Sequence, residues 1–288
     1  MLLGGIMQSP EILLLGGPNS GKTHYAGQLF GRLKRRPGKL KIRTGDGTSV
    51  NLSALEDVLT QLEDGNAAEH THAEQYSEIL FPLIDSNQIT IDLYWPDYGG
   101  EQLSQVFKQR EISSDWRRRL QSTNGWLVFI RLSGEKTYPD ALSKLTSIPT
   151  NTPGETTRPE IWDANAYWIE LLQMLCHVAG LNLSSKENKP PLAIILSCFD
   201  EVLEEGQVPS EALKSKLPLF YSFIQATWPE KMTSIWGVSS LGKTLQPNSN
   251  DDDFIDKGPE YQGWVIAPEQ SNKDSDLTAP LSWILDKI

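Results

Sequence analysis

Ile12-Leu13-Leu14-Leu15-Gly16-Gly17-Pro18-Asn19-Ser20-Gly21-Lys22-Thr23 is the stretch on which the reading of this chain turns. A short apolar run of strand character, Ile12 to Leu15, enters a glycine-rich turn. The turn enters a helix-compatible stretch, Ala26 to Arg36. Gly16-x-x-x-x-Gly21-Lys22-Thr23 is therefore the phosphate-loop pattern in the strand–loop–helix setting it requires. Glycines let the backbone curl so that successive N–H groups face inward onto phosphate oxygens. The helix N-terminus adds its partial positive charge. In that geometry Lys22 reaches the β- and γ-phosphates and the Thr23 hydroxyl holds Mg²⁺. The expected nucleotide-contacting set here is Gly16, Gly17, Pro18, Asn19, Ser20, Gly21, Lys22, Thr23 and His24.

A second stretch, Gly237-Val238-Ser239-Ser240-Leu241-Gly242-Lys243-Thr244, fits the same pattern after a strand-like run, Met232 to Trp236. It continues into Leu245-Gln246-Pro247-Asn248-Ser249-Asn250, and Pro247 in that polar, turn-rich run opposes a helix. Without a helix N-terminus the anion site is incomplete, so the phosphate loop is assigned to the first stretch.

The chain has 288 residues, 39% hydrophobic and 22% charged, the composition of a soluble globular protein. We read it as one domain, residues 1–288, with an insertion at about 133–160 and a variable acidic loop at about 245–262. A formal charge of −11 argues against a nucleic-acid-binding surface. Cys176 and Cys198 form no disulfide framework and read as reduced thiols of a cytoplasmic protein. No apolar run reaches membrane-spanning length. The start, Met1 to Met7, is apolar but short and has no basic leader, unlike a signal peptide.

Outward from the loop, Tyr25 to Leu33 carries an apolar stripe and stops at Lys34-Arg35-Arg36-Pro37-Gly38. Leu40 to Arg43 reads as an edge strand and Leu52 to Leu62 as a helix. Ile79 to Phe81 and Ile89 to Leu93 read as an antiparallel hairpin around Asp85-Ser86-Asn87. A polar helix is expected from Glu101 to about Gln121. Trp126 to Leu132 and Leu192 to Leu196 are continuous apolar runs suited to strands buried on both faces. Ile161 to Ala179 has strong helical spacing, Ala212 to Ala226 is helical with an interruption at Pro218, and Ser234 to Val238 is a further strand. Leu245 to Glu260 reads as a polar loop, Trp264 to Ile266 as a small strand and Leu281 to Ile288 as a closing helix. Buried strands alternating with helices predict an α/β fold: a mainly parallel, six-stranded sheet with helices on both faces and one antiparallel edge hairpin. Ligands in such sheets sit at the strand carboxyl ends, where every candidate motif falls.

Asp97-x-x-Gly100 follows one strand. It reads either as a carboxylate beside Mg²⁺ with a backbone N–H that senses a γ-phosphate, or as a plain turn with a helix cap. Ser197-Cys198-Phe199-Asp200 follows another. A carboxylate at Asp200 can accept from both N1–H and the 2-amino group of guanine, donors that adenine lacks; the alternative is a helix cap or surface turn. Ser239 and Ser240 follow the next strand and can meet guanine O6 through backbone N–H, or form a simple serine turn. His70 and His72 form a pair without a clear third metal ligand. Arg117-Arg118-Arg119 reads as a solvated helix face, or as a source of a charge-stabilising arginine.

In this order the motifs resemble those of the translation-factor and Ras-like class of phosphate-loop GTPases. More narrowly, Gly-Gly-Pro-Asn-Ser-Gly-Lys-Thr, Asp-Tyr-Gly-Gly-Glu and Leu-Ser-Cys-Phe-Asp-Glu look like the bacterial double-GTPase family. The resemblance covers most of residues 11 to 241. It implies a Ras-like phosphate-loop NTPase fold, GTP/GDP and Mg²⁺ as cofactors, and a switch that hydrolyses GTP. It also implies a protein partner (an effector, an activator or a second GTPase) and a setting in bacterial conflict with phage. Lys22, Gly100 and Glu101 are then the catalytic candidates, and Thr23, Asp97 and Thr71 the metal-holding ones, with Thr71 as the first-switch threonine.

Two departures bear on mechanism. The usual Asn-Lys-x-Asp of guanine recognition is here Ser197-Cys198-Phe199-Asp200, so the lysine stem that packs on the base is missing and Phe199 or another apolar group must take its place. The usual glutamine is Glu101, whose carboxylate can orient water but repels the γ-phosphate, which predicts slow hydrolysis. A non-hydrolysing, nucleotide-bound scaffold is the alternative reading, and a phosphotransferase acting on a small substrate ranks below both.

Overall fold

β1 (Ile12–Gly16) is buried along its whole length, and its side chains divide by parity. Leu13 and Leu15 enter one core layer, Ile12 and Leu14 the other. The computed structural model describes residues 10–43, 52–68, 77–85, 87–97, 100–138 and 162–288. β5 (Gly125–Ile130) and β6 (Leu192–Ser197) divide in the same way: Trp126, Val128, Ile130, Leu192, Ile194 and Leu196 face the first layer, Leu127, Phe129, Ala193 and Ile195 the second. A strand alternates its side chains between faces, so a continuous apolar run is stable only where both faces are covered.

The main sheet runs β1-β5-β6-β7-β8-β9, where β7 is Thr233–Ser239, β8 Trp264–Ile266 and β9 Lys273–Asp274. β1, β5, β6 and β7 are parallel neighbours, and β8 and β9 close the edge antiparallel. The hairpin expected from sequence is β3 (Ser77–Asp85) with β4 (Thr90–Asp97). Together with β2 (Leu40–Ile42) it makes a separate three-stranded antiparallel sheet, and β4 lies alongside β1. The fold is thus the expected mixed α/β one, a mainly parallel sheet with antiparallel edges and helices on both faces.

α1 (Lys22–Arg35) and α2 (Ser53–Glu63) cover the second layer together with the closing helix α9 (Ala279–Leu285). The first layer is covered by α3 (Gly100–Gln109), α4 (Ser114–Ser122), α5 (Ala164–Ala179), α6 (Pro209–Lys216) and α7 (Pro218–Thr227).

Two expectations are corrected. The single polar helix predicted to run to Gln121 is two helices. α3 buries Leu103 and Phe107, α4 buries Trp116 and Leu120, and at about 3.6 residues per turn an unbroken helix would set these pairs half a turn out of phase. The break, with Arg110 at φ 59° and Ser113 capping the Trp116 N–H at 3.3 Å, brings both pairs into one layer. The polar stretch after Leu245 contains a short helix, α8 (Asp252–Lys257). The Asp251 carboxylate caps it, and Phe254 is buried with Leu62, Ala67 and Leu245. A helix this short with one buried apolar residue leaves no periodicity to read.

The greater part of the expected insertion, residues 139–160, lies outside the described residues. Its flanks meet: Ala164 N–H donates to Lys136 O at 2.9 Å, and Tyr138 N–H to Asp163 Oδ2 at 2.8 Å. Among the described residues no helix is long and apolar enough to cross a membrane.

Candidate functional site

The chain leaves β1 at Gly16 and enters α1 at Lys22 through a tight curl. Asn19 (φ 57°) and Gly21 (φ 76°) are both left-handed, the conformation that turns successive N–H groups to one side. A Cβ on Gly16 would stand 2.7 Å from Ser20 Oγ and 2.9 Å from Phe129 Cβ, so only glycine lets the loop close this tightly on β5. At Gly17 a Cβ would meet nothing within 4 Å, which marks the open mouth of the curl.

Lys22 folds back into the curl. Its ammonium donates to Gly16 O at 2.8 Å, Gly17 O at 2.7 Å and Ser20 Oγ at 3.0 Å. Ser20 Oγ in turn donates to Gly17 O at 2.8 Å. No acidic residue occupies the first turn of α1, so nothing there offsets the positive end of the helix. The arrangement is a concave cluster of positive charge and N–H donors, suited to a phosphate chain.

α1 is anchored on its far side. Tyr25 Oη donates to Leu277 O at 2.7 Å, and burial pushes its phenol pKa well above the usual range. Arg32 donates to Ser275 O, Gln262 O and Gly263 O. Burial, aided by the nearby Arg36, lowers its pKa to about 10, so it stays charged at neutral pH.

Strand register brings the remaining loops to the same edge. Gly16 lies opposite Phe129, Ile130 opposite Leu196, and Ser197 opposite Val238, so the turns after β1, β5, β6 and β7 are neighbours. The first and third touch: a Cβ on Gly21 would stand 3.5 Å from Cys198 Sγ and 3.6 Å from Ser197 Cβ. Ser197 Oγ is buried and has no hydrogen-bond partner among the described residues. Asp200 sits half-buried in a single 3₁₀ turn, Phe199–Glu201, and its carboxylate likewise has no hydrogen-bond partner among the described residues. Two unpartnered polar groups beside a phosphate-binding curl fit a nucleotide base. Cys198 opens the turn in the left-handed region (φ 47°), and burial pushes its thiol pKa up to about 11, so it is protonated at neutral pH.

Phe199 does not stand in for the missing lysine stem. It is fully buried in the first core layer, with its ring against Gly237 of β7. A Cβ on Gly237 would stand 2.7 Å from Phe199 Cε1 and closer still to Cδ1. Gly237→Ala should therefore destabilise by about 1–3 kcal/mol through overpacking. An unchanged unfolding temperature would contradict this packing.

The turn after β7 holds Ser239 and Ser240, both buried. Ser239 Oγ accepts from Gly242 N–H at 2.9 Å, the serine turn anticipated as an alternative. The second phosphate-loop pattern is excluded by its setting. Gly237 lies inside β7, and Lys243 is committed to Asp251 at 2.7 Å and Asp253 at 2.9 Å.

Asp97 ends β4 and Gly100 opens α3, with Glu101 next. α3 packs on β1, with Leu103 in the layer of Leu13 and Leu15, so this helix start stands beside the strand that carries the phosphate loop. Thr71, His70 and His72 lie outside the described residues. The segment leading toward them is tied down: Ala68 N–H donates to His24 Nε2 at 3.1 Å, Ala67 N–H to Gln246 O at 2.9 Å, and Asp251 N–H to Gly65 O at 3.0 Å. The His24 imidazole thus joins the start of α1 to residue 68. Thr23 on α1 and Asp97 at the end of β4 offer hard oxygen donors of the kind Mg²⁺ takes. Among the described residues no group of three or more His, Cys, Asp and Glu could hold a metal ion. Arg117 and Arg118 lie on the exposed face of α4, and Arg118 pairs with Asp115 at 3.1 Å, which is the solvated-face reading.

Sequence reading missed Arg131, Ser133 and Glu201. Arg131 follows β5 and grips the Glu201 carboxylate with Nε (2.9 Å) and Nη2, while Ser133 Oγ donates to the same carboxylate. Burial opposes ionisation of Glu201, but the Arg131 and Ser133 hydrogen bonds hold its pKa below the usual carboxylate range. The partners are about seventy residues apart, and no local pattern links them.

The profile of the family described as Double-GTPase 1 matches residues 13–284. Similar solved structures include the Arl6 BBS3 small GTPase from Trypanosoma brucei with bound nucleotide analogue GppNp, at 9% identity over 97% of each chain (TM-score 0.42). They also include the S. cerevisiae Ski7 GTPase-like domain bound to GTP, at 15% identity over 80% of this chain and 42% of that one (TM-score 0.41). A third is the signal recognition particle receptor SRb-GTP/SRX complex from Chaetomium thermophilum, at 14% identity over 83% of this chain and 94% of that one (TM-score 0.37). No curated protein matches the chain. With that profile spanning residues 13–284, this chain belongs to the double-GTPase 1 family.

Proposed function

We propose that the protein is a GTP-binding molecular switch, a single GTPase domain that hydrolyses GTP slowly with Mg²⁺. The observation that carries this reading is the contact between the phosphate loop and the turn bearing Asp200, with Gly21 against Cys198 and Ser197. A phosphate cradle and a half-buried carboxylate then meet one nucleotide at its two ends. Family membership supports guanine as the base.

In this reading the N–H groups of the curl and Lys22 bind the phosphates, and Asp200 accepts from guanine N1–H and the 2-amino group. Backbone N–H of Ser239 or Ser240 is the candidate donor to O6. Thr23, Asp97 and Thr71 would hold Mg²⁺, which when bound neutralises charge on the β- and γ-oxygens. The Gly100 N–H, at the start of α3, reports the γ-phosphate, and Glu101 orients the attacking water. Its negative charge near the γ-phosphate slows the reaction. The output is a change in order near Thr71 and residues 97–101, read by an effector, an activator or a second GTPase. We read the location as cytoplasmic and, on the sequence resemblance alone, the setting as bacterial defence against phage.

Calorimetric titration of nucleotide-stripped protein with GTP, GDP and ATP analogues in Mg²⁺ tests the proposal. Binding of both guanine nucleotides and not ATP is expected; preference for ATP discards the base reading. Glu101→Ala should change turnover by about tenfold or more while GTP affinity moves far less. Unchanged turnover would remove Glu101 from the mechanism. The replacement of glutamine by Glu101, and of lysine by Cys198, favours a second reading as a non-hydrolysing scaffold. Multiple-turnover phosphate release, absent in that case, separates the two.

A further inference from the structure

We propose that Arg131 is a positioning residue for guanine recognition: by gripping Glu201 it sets the direction in which the neighbouring Asp200 carboxylate points. The inference rests on the assignment of Asp200 to the base and concerns what holds that carboxylate in place.

The turn that presents Asp200 is a single 3₁₀ turn, Phe199–Glu201. Successive side chains in such a turn leave about 120° apart, because roughly three residues complete the circle. Phe199 takes one direction, down into the first core layer against Gly237. Glu201 takes the second, sideways to Arg131. Only the third remains for Asp200. Were Glu201 released, the turn could rotate about the Phe199 anchor and carry Asp200 with it.

The backbone needs this restraint. Cys198, which opens the turn, is left-handed without being glycine (φ 47°), a conformation that L-residues hold only where the surroundings impose it. Backbone bonds close the turn itself, from Glu201 N–H to Cys198 O at 3.0 Å and from Val202 and Leu203 N–H to Phe199 O at 3.2 and 2.9 Å, so what the grip adds is direction.

The grip is also built for direction. Arg131 meets Glu201 with two nitrogens, and Ser133 Oγ adds a third donor to the same carboxylate. A planar guanidinium forking onto a carboxylate fixes orientation as well as distance, which a lysine cannot do. Its contribution to stability is modest, since the two side chains are 38% and 19% exposed and solvent screens the pair. Arg131 directly follows Ile130, which pairs with Leu196, so the reach to the turn after β6 spans one strand spacing.

The test compares GTP with ITP, which lacks only the 2-amino group, by calorimetric titration of the full chain. In the unaltered protein GTP should bind about tenfold tighter, the size of one charge-assisted hydrogen bond. Asp200→Ala should bring the ratio near one. Arg131→Ala should lower the ratio by about threefold or more, because GTP loses two contacts to Asp200 where ITP, which keeps N1–H, loses one, and Arg131→Lys should behave like the alanine variant. A purely structural role would weaken both nucleotides equally and leave the ratio intact. If Asp200→Ala collapses the ratio and Arg131→Ala does not, the inference is overturned, as it is if lysine restores the ratio fully. If Asp200→Ala itself leaves the ratio unchanged, the base assignment fails, and the inference with it. Should Arg131→Ala not fold, Glu201→Gln takes its place, with the same direction expected and an unchanged ratio overturning the inference.

Discussion

Lys22→Ala should abolish nucleotide binding while leaving the fold in place. The ammonium lies at the centre of the curl, 2.7–3.0 Å from Gly17 O, Gly16 O and Ser20 Oγ. It is the side-chain cation in direct contact with the phosphate loop, in a chain of formal charge −11. Removing it leaves the phosphates facing loop carbonyls without a countercharge. Truncating one partner of a buried charge contact costs about 2–5 kcal/mol, a factor of roughly thirty to several thousand in affinity. The fold should survive, because the curl opens at Gly17 and water can replace the lost donor. Lys243→Ala is the matched control. It alters the other Gly-Lys-Thr sequence, but its ammonium pairs with Asp251 and Asp253 at the surface and lies over the Phe254 ring, so GTP affinity should stay the same. Calorimetry on the two variants decides: undiminished GTP binding by Lys22→Ala would refute the assigned loop.

Asp200→Asn should weaken GTP by about a hundredfold and improve binding of a xanthosine nucleotide. A carboxylate accepts two N–H donors side by side, from guanine N1 and the 2-amino group. An asparagine keeps one acceptor and turns a donor toward the 2-amino group, which leaves two donors opposed. Xanthine carries a carbonyl at that position, so the asparagine amide finds an acceptor there. The Asp200 carboxylate has no protein hydrogen-bond partner among the described residues, so the substitution should cost little stability. Unaltered GTP affinity would show that Asp200 does not read the base.

Much of this molecule was legible in one dimension. The run Ile12 to Leu15, the curl to Gly21, and the apolar runs at 126–130 and 192–196 announced a phosphate loop on a buried parallel sheet. Strand burial on both faces and glycine-dependent turns are written in adjacent residues, because the forces behind them act over one or two peptide units. Helix stops at Pro37-Gly38 and Pro218 were legible for the same reason. The order of motifs along the chain carried the family as well.

Tertiary structure decided what distant residues do to one another. Phe199 looked like a substitute for a base-stacking lysine, but Gly237 leaves a hollow in β7 that its ring fills, and it became core. The polar stretch of residues 101–121 broke into α3 and α4 because burying Phe107 and Trp116 in one layer outweighs the continuity of a helix. Lys243 repeated the motif chemistry of Lys22 yet was drawn to Asp251 and Asp253, since no helix follows to complete an anion site. Arg131 and Glu201 meet because β5 and β6 are paired. The sequence by itself determined the phosphate loop, the sheet and the family, because backbone conformation and burial periodicity are local. The orientation of the turn that carries Asp200 was decided only in three dimensions, because side-chain direction is set by whichever neighbours the fold brings within a few ångströms.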